Sequence, residues 1–161
     1  LIEVTAQLRT EYPDIELVIV GDGEERGVLE ETAREHGILD QVRFTGRLSK
    51  EALGATIKAG DVFVLNTAYE GLSHQLIEVM DLGTPIVTTT AGGNSELITD
   101  GVEGFLVAFN DKDALVESIK RVLNHPETQL LLTQSARARS RDFSKERVVE
   151  QVLLLLKTLK K

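Results

Sequence analysis

Five short apolar runs constrain this chain more than any other feature: Glu16–Val20, Val42–Thr45, Asp61–Leu65, Ile86–Thr88 and Gly104–Val107. Each is short and mostly β-branched or aromatic, as strands are. Helical patterns lie between and around them. Leu1, Val4 and Leu8 recur at three to four over residues 1–10, closed by Pro13. Leu29, Ala33 and His36 fall on one side of a helix over about Glu24–His36, with Gly37 as its cap. Leu53 and Ile57 follow Ser49, an N-cap residue type, and Gly60 stops them. Strands joined through helices need crossover connections, and repeated crossovers build a parallel sheet with helices on both faces. The predicted fold is therefore α/β, a Rossmann-like doubly wound parallel sheet. Glu16–Val20, apolar nearly throughout, predicts a strand covered on both faces.

After the fifth run the chain is helical. Leu115, Ile119, Val122 and Leu123 form one stripe, ended by Asn124-His125-Pro126, and a further helix covers roughly Glu127–Arg141. The last helix starts near Ser144 and runs to the end. Its apolar residues (Val148, Val149, Val152 to Leu156, and Leu159) form an arc wider than one contact needs. Residues 144–161 are therefore expected to pack on a surface outside this stretch.

With 161 residues the chain is one domain's worth. A net charge of −8 and only 4% aromatic residues argue against nucleic acid, which needs a basic surface and stacking platforms. No apolar run approaches the roughly 20 residues of a membrane span. The absence of cysteine excludes disulfides and thiolate metal sites, and suits a reducing compartment. His36, His74 and His125 are scattered, so no bound metal is expected.

The chemistry concentrates in Tyr69-Glu70-Gly71-Leu72-Ser73-His74-Gln75-Leu76-Ile77-Glu78-Val79-Met80. A strand precedes it and a helical pattern (Leu76, Ile77, Val79, Met80) runs through its second half, so Glu70 lies on the loop leaving a strand and Glu78 on the next helix. With Ser73 as N-cap, Glu78 stands about 7.5 Å along the axis and leans back toward the helix start. It shares the polar side with His74 and Asp81. Free N–H groups at Gly71-Leu72-Ser73 and the positive end of the helix dipole favour an anion there. A carboxylate beside them does not bind phosphate, but it accepts hydrogen bonds from paired hydroxyls such as those of a ribose. Spacing alone leaves a second reading open, in which Glu78 is a solvated polar-face residue and Glu70 a loop charge.

The run Glu70 to Met80, followed by Gly83-Thr84-Pro85-Ile86-Val87, resembles the Glu-x7-Glu signature of the retaining GT-B glycosyltransferases of family 4 (glycosyl transferases group 1). Val18-Ile19-Val20-Gly21-Asp22-Gly23, Val42-Arg43-Phe44-Thr45-Gly46, Gly92-Gly93-Asn94-Ser95-Glu96 and Asp100-Gly101-Val102-Glu103-Gly104 resemble its flanking motifs, in the same order. The likeness is to the C-terminal, donor-binding half of such an enzyme. It implies that Glu70, the catalytic candidate, contacts the donor sugar and that Glu78 binds the ribose hydroxyls. Gly71, Leu72, Ser73 and His74 would approach the sugar and diphosphate, and Gly46 and Arg47 would lie near the nucleobase. Many members carry Gly-Phe-Gly where this chain has Gly71-Leu72-Ser73, so a serine side chain is expected to narrow that approach.

The resemblance further implies a nucleotide sugar as substrate, no cofactor, a cytoplasmic enzyme, and a separate N-terminal acceptor domain through which any membrane contact would run. It places the domain's first strand, with an arginine and a lysine facing the leaving diphosphate, ahead of Leu1 and in mid-sheet. Residues 1–161 are thus read as one nucleotide-sugar-binding domain cut from a longer two-domain enzyme, inactive or nearly so by itself. The sheet is expected to show a gap or rearrangement between Glu16–Val20 and Asp61–Leu65. Three alternatives remain: a one-domain binding subunit completed by a partner chain, a GT-B epimerase or phosphorylase, and a dinucleotide-binding oxidoreductase. The last is disfavoured, because Gly21-Asp22-Gly23 lacks a third glycine at the G-x-G-x-x-G position.

Overall fold

The computed structural model describes residues 1–158. Leu159 and the last part of the predicted terminal helix lie outside the described residues. In chain order the elements are α1 (Ile2–Leu8), β1 (Leu17–Val20), α2 (Arg26–Glu35), β2 (Val42–Gly46), α3 (Lys50–Ala59), β3 (Phe63–Leu65), α4 (His74–Leu82), β4 (Ile86–Thr89), α5 (Asn94–Leu97), β5 (Phe105–Val107), α6 (Lys112–Asn124), α7 (Pro126–Ser140) and α8 (Lys145–Thr158). Short 3-10 turns at Leu39–Gln41 and Arg141–Phe143 were not predicted. Strand and helix alternate as the sequence pattern requires, and every ladder is parallel.

The strands do not form one sheet. β1 pairs with β2, and β3, β4 and β5 pair in that order, with no ladder between β1 and β3. The interruption falls where the sequence reading expected it. α1 spans the break. Its Val4 and Leu8 pack with Val87 of β4 and Phe105 of β5, while its Ile2 packs with Ala33 of α2 and Val42 of β2.

Side chains alternate across the three-stranded sheet with the period of two that a pleat dictates. Val64, Val87, Phe105 and Val107 face α1 and α6. Phe63, Leu65, Ile86 and Leu106 face the layer of α3, α4, α5 and α7. The two-stranded sheet is covered on one face only. Leu17, Ile19, Val42 and Phe44 pack under α1 and α2, but Val18 and Val20 join no buried cluster, and Val20 is 36% exposed. This corrects the expectation of a strand buried on both faces. α3 leaves β2 and packs against α4 over the other sheet, so among the described residues no helix covers the second face of β1. His36, expected on the apolar side of its helix, is also exposed, as it lies in the turn that ends α2.

Two contacts fix α4 to its neighbours. Gly83 closes α4 in the left-handed conformation (φ 80°), and the Arg137 guanidinium of α7 donates to the Leu82 carbonyl at 2.7 Å. The buried Thr84 hydroxyl donates to the last-turn carbonyl of Ile57 in α3 at 2.9 Å. α8 has no buried residue; Val148, Val149 and Val152 to Leu156 are 46% to 62% exposed. Among the described residues no helix is long and apolar enough to cross a membrane.

Candidate functional site

In a parallel sheet all carboxyl ends lie on one side, and loops leaving them meet there. Asn66–Ser73 leaves β3 and leads into α4. Ser73 is the N-cap: its hydroxyl accepts from the Leu76 N–H at 3.3 Å, and its carbonyl accepts from Ile77 at 3.2 Å. Its side chain is therefore turned back into the helix and buried. This corrects the expectation that the serine narrows the approach to a ligand. The N–H groups of His74 and Gln75 have no protein acceptor among the described residues. They are the outward donors of the first turn. His74, Gly71 and Leu72 are exposed, and Glu70 is half-buried on the loop.

Glu78 projects from the polar side of α4, opposite buried Leu76, Val79 and Met80. Its Oε1 lies 3.3 Å from Nζ of Lys50, the first residue of α3. Both side chains are well exposed, so water screens the pair and it adds little stability. Its value here is positional. Gly46 and Arg47 stand just upstream of Lys50, so the ion pair joins the segment leaving β2 to the helix that carries Glu78. Gly46 ends β2 with φ 70°, and its carbonyl already accepts from the Gly21 N–H at 2.9 Å and the Thr45 hydroxyl at 3.0 Å. Arg47 is exposed. Among the described residues no group of three His, Asp or Glu side chains is arranged to hold a metal.

The sequence reading missed Lys50 and Thr89. No pattern connects Lys50 to a carboxylate 28 positions away, and Lys is ordinary at the head of a helix. Thr89 ends an apolar strand, where a hydroxyl carries no sequence signal of its partner. Its Oγ1 donates to the Thr67 carbonyl at 2.7 Å and so supports the loop bearing Glu70.

Residues 1–139 match the profile of glycosyl transferases group 1. The chain belongs to that family. Among curated relatives, the alpha-D-kanosaminyltransferase of Streptomyces kanamyceticus is 32% identical over 135 residues, covering 84% of this chain and 35% of that protein. A glycogen synthase of Mycobacterium tuberculosis is 32% identical over 133 residues, 83% of this chain and 32% of that protein. The chain thus spans about a third of each of these two relatives. Among solved structures, Anabaena HepE in complex with UDP-glucose superposes with a TM-score of 0.87 at 25% identity, over 98% of this chain and 44% of that one. The sucrose-phosphate synthase of Thermosynechococcus elongatus superposes with a TM-score of 0.83 at 29% identity, over 98% and 42% respectively. The fold is accordingly the Rossmann-like one of GT-B group 1 transferases.

Proposed function

We propose that this chain is the donor-binding domain of a retaining glycosyltransferase of family 4, which moves a sugar from a nucleotide diphosphate to an acceptor in the cytoplasm. One observation carries the reading: two carboxylates flank the start of α4, whose outward N–H groups are without protein acceptors. Glu78 accepts the ribose hydroxyls, His74 and Gln75 donate to the diphosphate, and Glu70 contacts the sugar. Gly46 and Arg47 border the base. Charge that develops on the leaving diphosphate meets the positive end of α4. The UDP-glucose in the HepE complex supports the choice of a nucleotide sugar.

The acceptor is held by a second domain, which also covers the apolar face of α8. Cations that neutralise the leaving group belong to the strand that fills the break between β1 and β3. Residues 1–161 alone are therefore expected to show little or no transfer. The test is calorimetric titration of the full-length protein with UDP-, GDP- and ADP-sugars, with turnover measured in parallel. Glu78→Ala should weaken one of these at least tenfold, and Glu70→Gln should lower turnover with a smaller effect on affinity. Unchanged affinity and turnover in both variants would refute the assignment, and transfer by residues 1–161 at the rate of the complete enzyme would refute the division of labour.

A further inference from the structure

We infer that Thr89, the last residue of β4, and Gly92 and Gly93 in the segment leaving it form a brace that sets the position of Glu70 and act as positioning residues for it. The inference rests on the reading of Glu70 as the sugar-contacting carboxylate.

The loop Asn66–Ser73 contains no regular structure, and Tyr69 in its middle is 86% exposed. Its support comes from the next loop. The Thr89 hydroxyl donates to the Thr67 carbonyl at 2.7 Å, the Thr67 hydroxyl donates to the Tyr69 carbonyl at 2.8 Å, and the Gly93 N–H donates to the Glu70 carbonyl at 3.1 Å. The supporting segment is itself fixed to β4. Asn94, fully buried, donates through Nδ2 to the Thr88 hydroxyl at 3.1 Å and to the Thr89 carbonyl at 3.2 Å. A continuous path thus runs from the most buried strand of the molecule to the backbone of Glu70.

The approach is backbone to backbone, which explains two adjacent glycines. A Cβ on Gly92 would stand 2.9 Å from the Glu70 carbonyl carbon and closer still to its oxygen. One on Gly93 would stand 2.9 Å from the Gly71 carbonyl carbon and 3.2 Å from the Leu72 Cα. Neither neighbour is a flexible side-chain end, so the Glu70–Leu72 backbone would have to move. Gly92 is doubly constrained, because its φ of 49° also strains any L-residue. Gly93, at φ −69°, suffers only the collision. A displacement of about 1 Å at a reacting group costs on the order of 100-fold in rate.

The test uses Gly93→Ala, which has no backbone strain of its own, and Thr89→Val, which keeps shape and loses the hydroxyl. Amide signals of the 161-residue chain in ¹⁵N–¹H NMR should shift at residues 67–73 in both variants and stay in place in α6 and α7. Thr89→Ser should restore them. In the full-length enzyme, release of nucleoside diphosphate from UDP-, GDP- or ADP-glucose should fall about 100-fold in Gly93→Ala. Adding Glu70→Gln should then cost less than it does alone, since groups acting as a unit are not additive. Unmoved signals at 67–73 in folded variants, changes spread evenly over the chain, or full additivity would overturn the brace. A Glu70→Gln enzyme with normal turnover would instead refute the role of Glu70, while the NMR result would still decide whether the brace exists.

Discussion

The two-stranded and three-stranded sheets have similar strand sequences and different fates. Leu17–Val20 is more apolar than Ile86–Thr89, which ends in two threonines, yet β4 is buried at all four residues and β1 at none. β4 has a strand on each edge and a helical layer on each face; β1 has one of each. Apolar content makes a strand fit for burial, and neighbours on all four sides deliver it. The consequence for function is an asymmetric site. The loop of Glu70 and the helix of Glu78 rest on the well-packed half, while Gly46 and Arg47 rest on the sparsely covered half.

This contrast can be broken by mutation. Phe105→Ala, in the three-stranded core beneath Arg121, should cost about 3–5 kcal/mol in chemical denaturation. Ile19→Ala, already partly exposed in β1, should cost about 1 kcal/mol. Equal costs would mean that the two halves are packed alike. Thr84→Val should cost about 1 kcal/mol as well, because it removes the hydroxyl bond that joins the start of β4 to the Ile57 carbonyl of α3, which keeps the Gly60 N–H as its donor.

Capping offers a finer comparison. Ser73 and Ser49 make the same N-cap bond, at 3.3 Å and 3.2 Å, on the helices that follow β3 and β2. Each Ser→Ala change should cost about 1 kcal/mol. Only Ser73→Ala should also weaken binding of a nucleotide sugar, since only that cap orients the donors facing the site. A titration in which Ser49→Ala does the same harm would move the site's centre toward β2.

The smallest effect concerns pH. Hydrogen bonding and the charge of Lys112 hold the Glu3 carboxyl below its ordinary value, and the pair ties α1 to α6. A lowered carboxyl contributes above its unfolded value and is lost as pH falls through the folded one. Lys120 of α6, raised by its bond to Glu11 in the turn after α1, contributes below its ordinary value and is lost as pH rises through the raised one. Stability should therefore sag slightly at acid and strongly alkaline pH, and Glu3→Gln should lessen the acid part, to which the lowered carboxyls of Glu51 and Glu127 also contribute, and leave the alkaline part in place.

Much of the molecule was legible from local chemistry. β-branched runs and Gly or Pro stops gave the five strands to within two residues at each end, and Ser49, Gly60 and Ser73 marked helix ends that the hydrogen bonds and dihedrals bear out. The polar placement of Glu78 and the buried arc of Leu76, Val79 and Met80 followed from 100° per residue. The 3-10 turn at Leu39–Gln41, the open face of β1 and the outward place of His36 did not. Each depends on what another part of the chain leaves uncovered, and a local pattern holds no information about that.

What the sequence by itself determined is the order of strands and helices, the capped start of α4 and the two carboxylates around it, because these follow from propensities and periodicities within a dozen residues. Only the tertiary structure decided that the sheet is split, that Lys50 meets Glu78, and that Gly92 and Gly93 press against the backbone of Glu70. Those are contacts between segments up to 28 positions apart, set by the packing of parallel strands whose carboxyl ends come together, and no spacing within either segment encodes them.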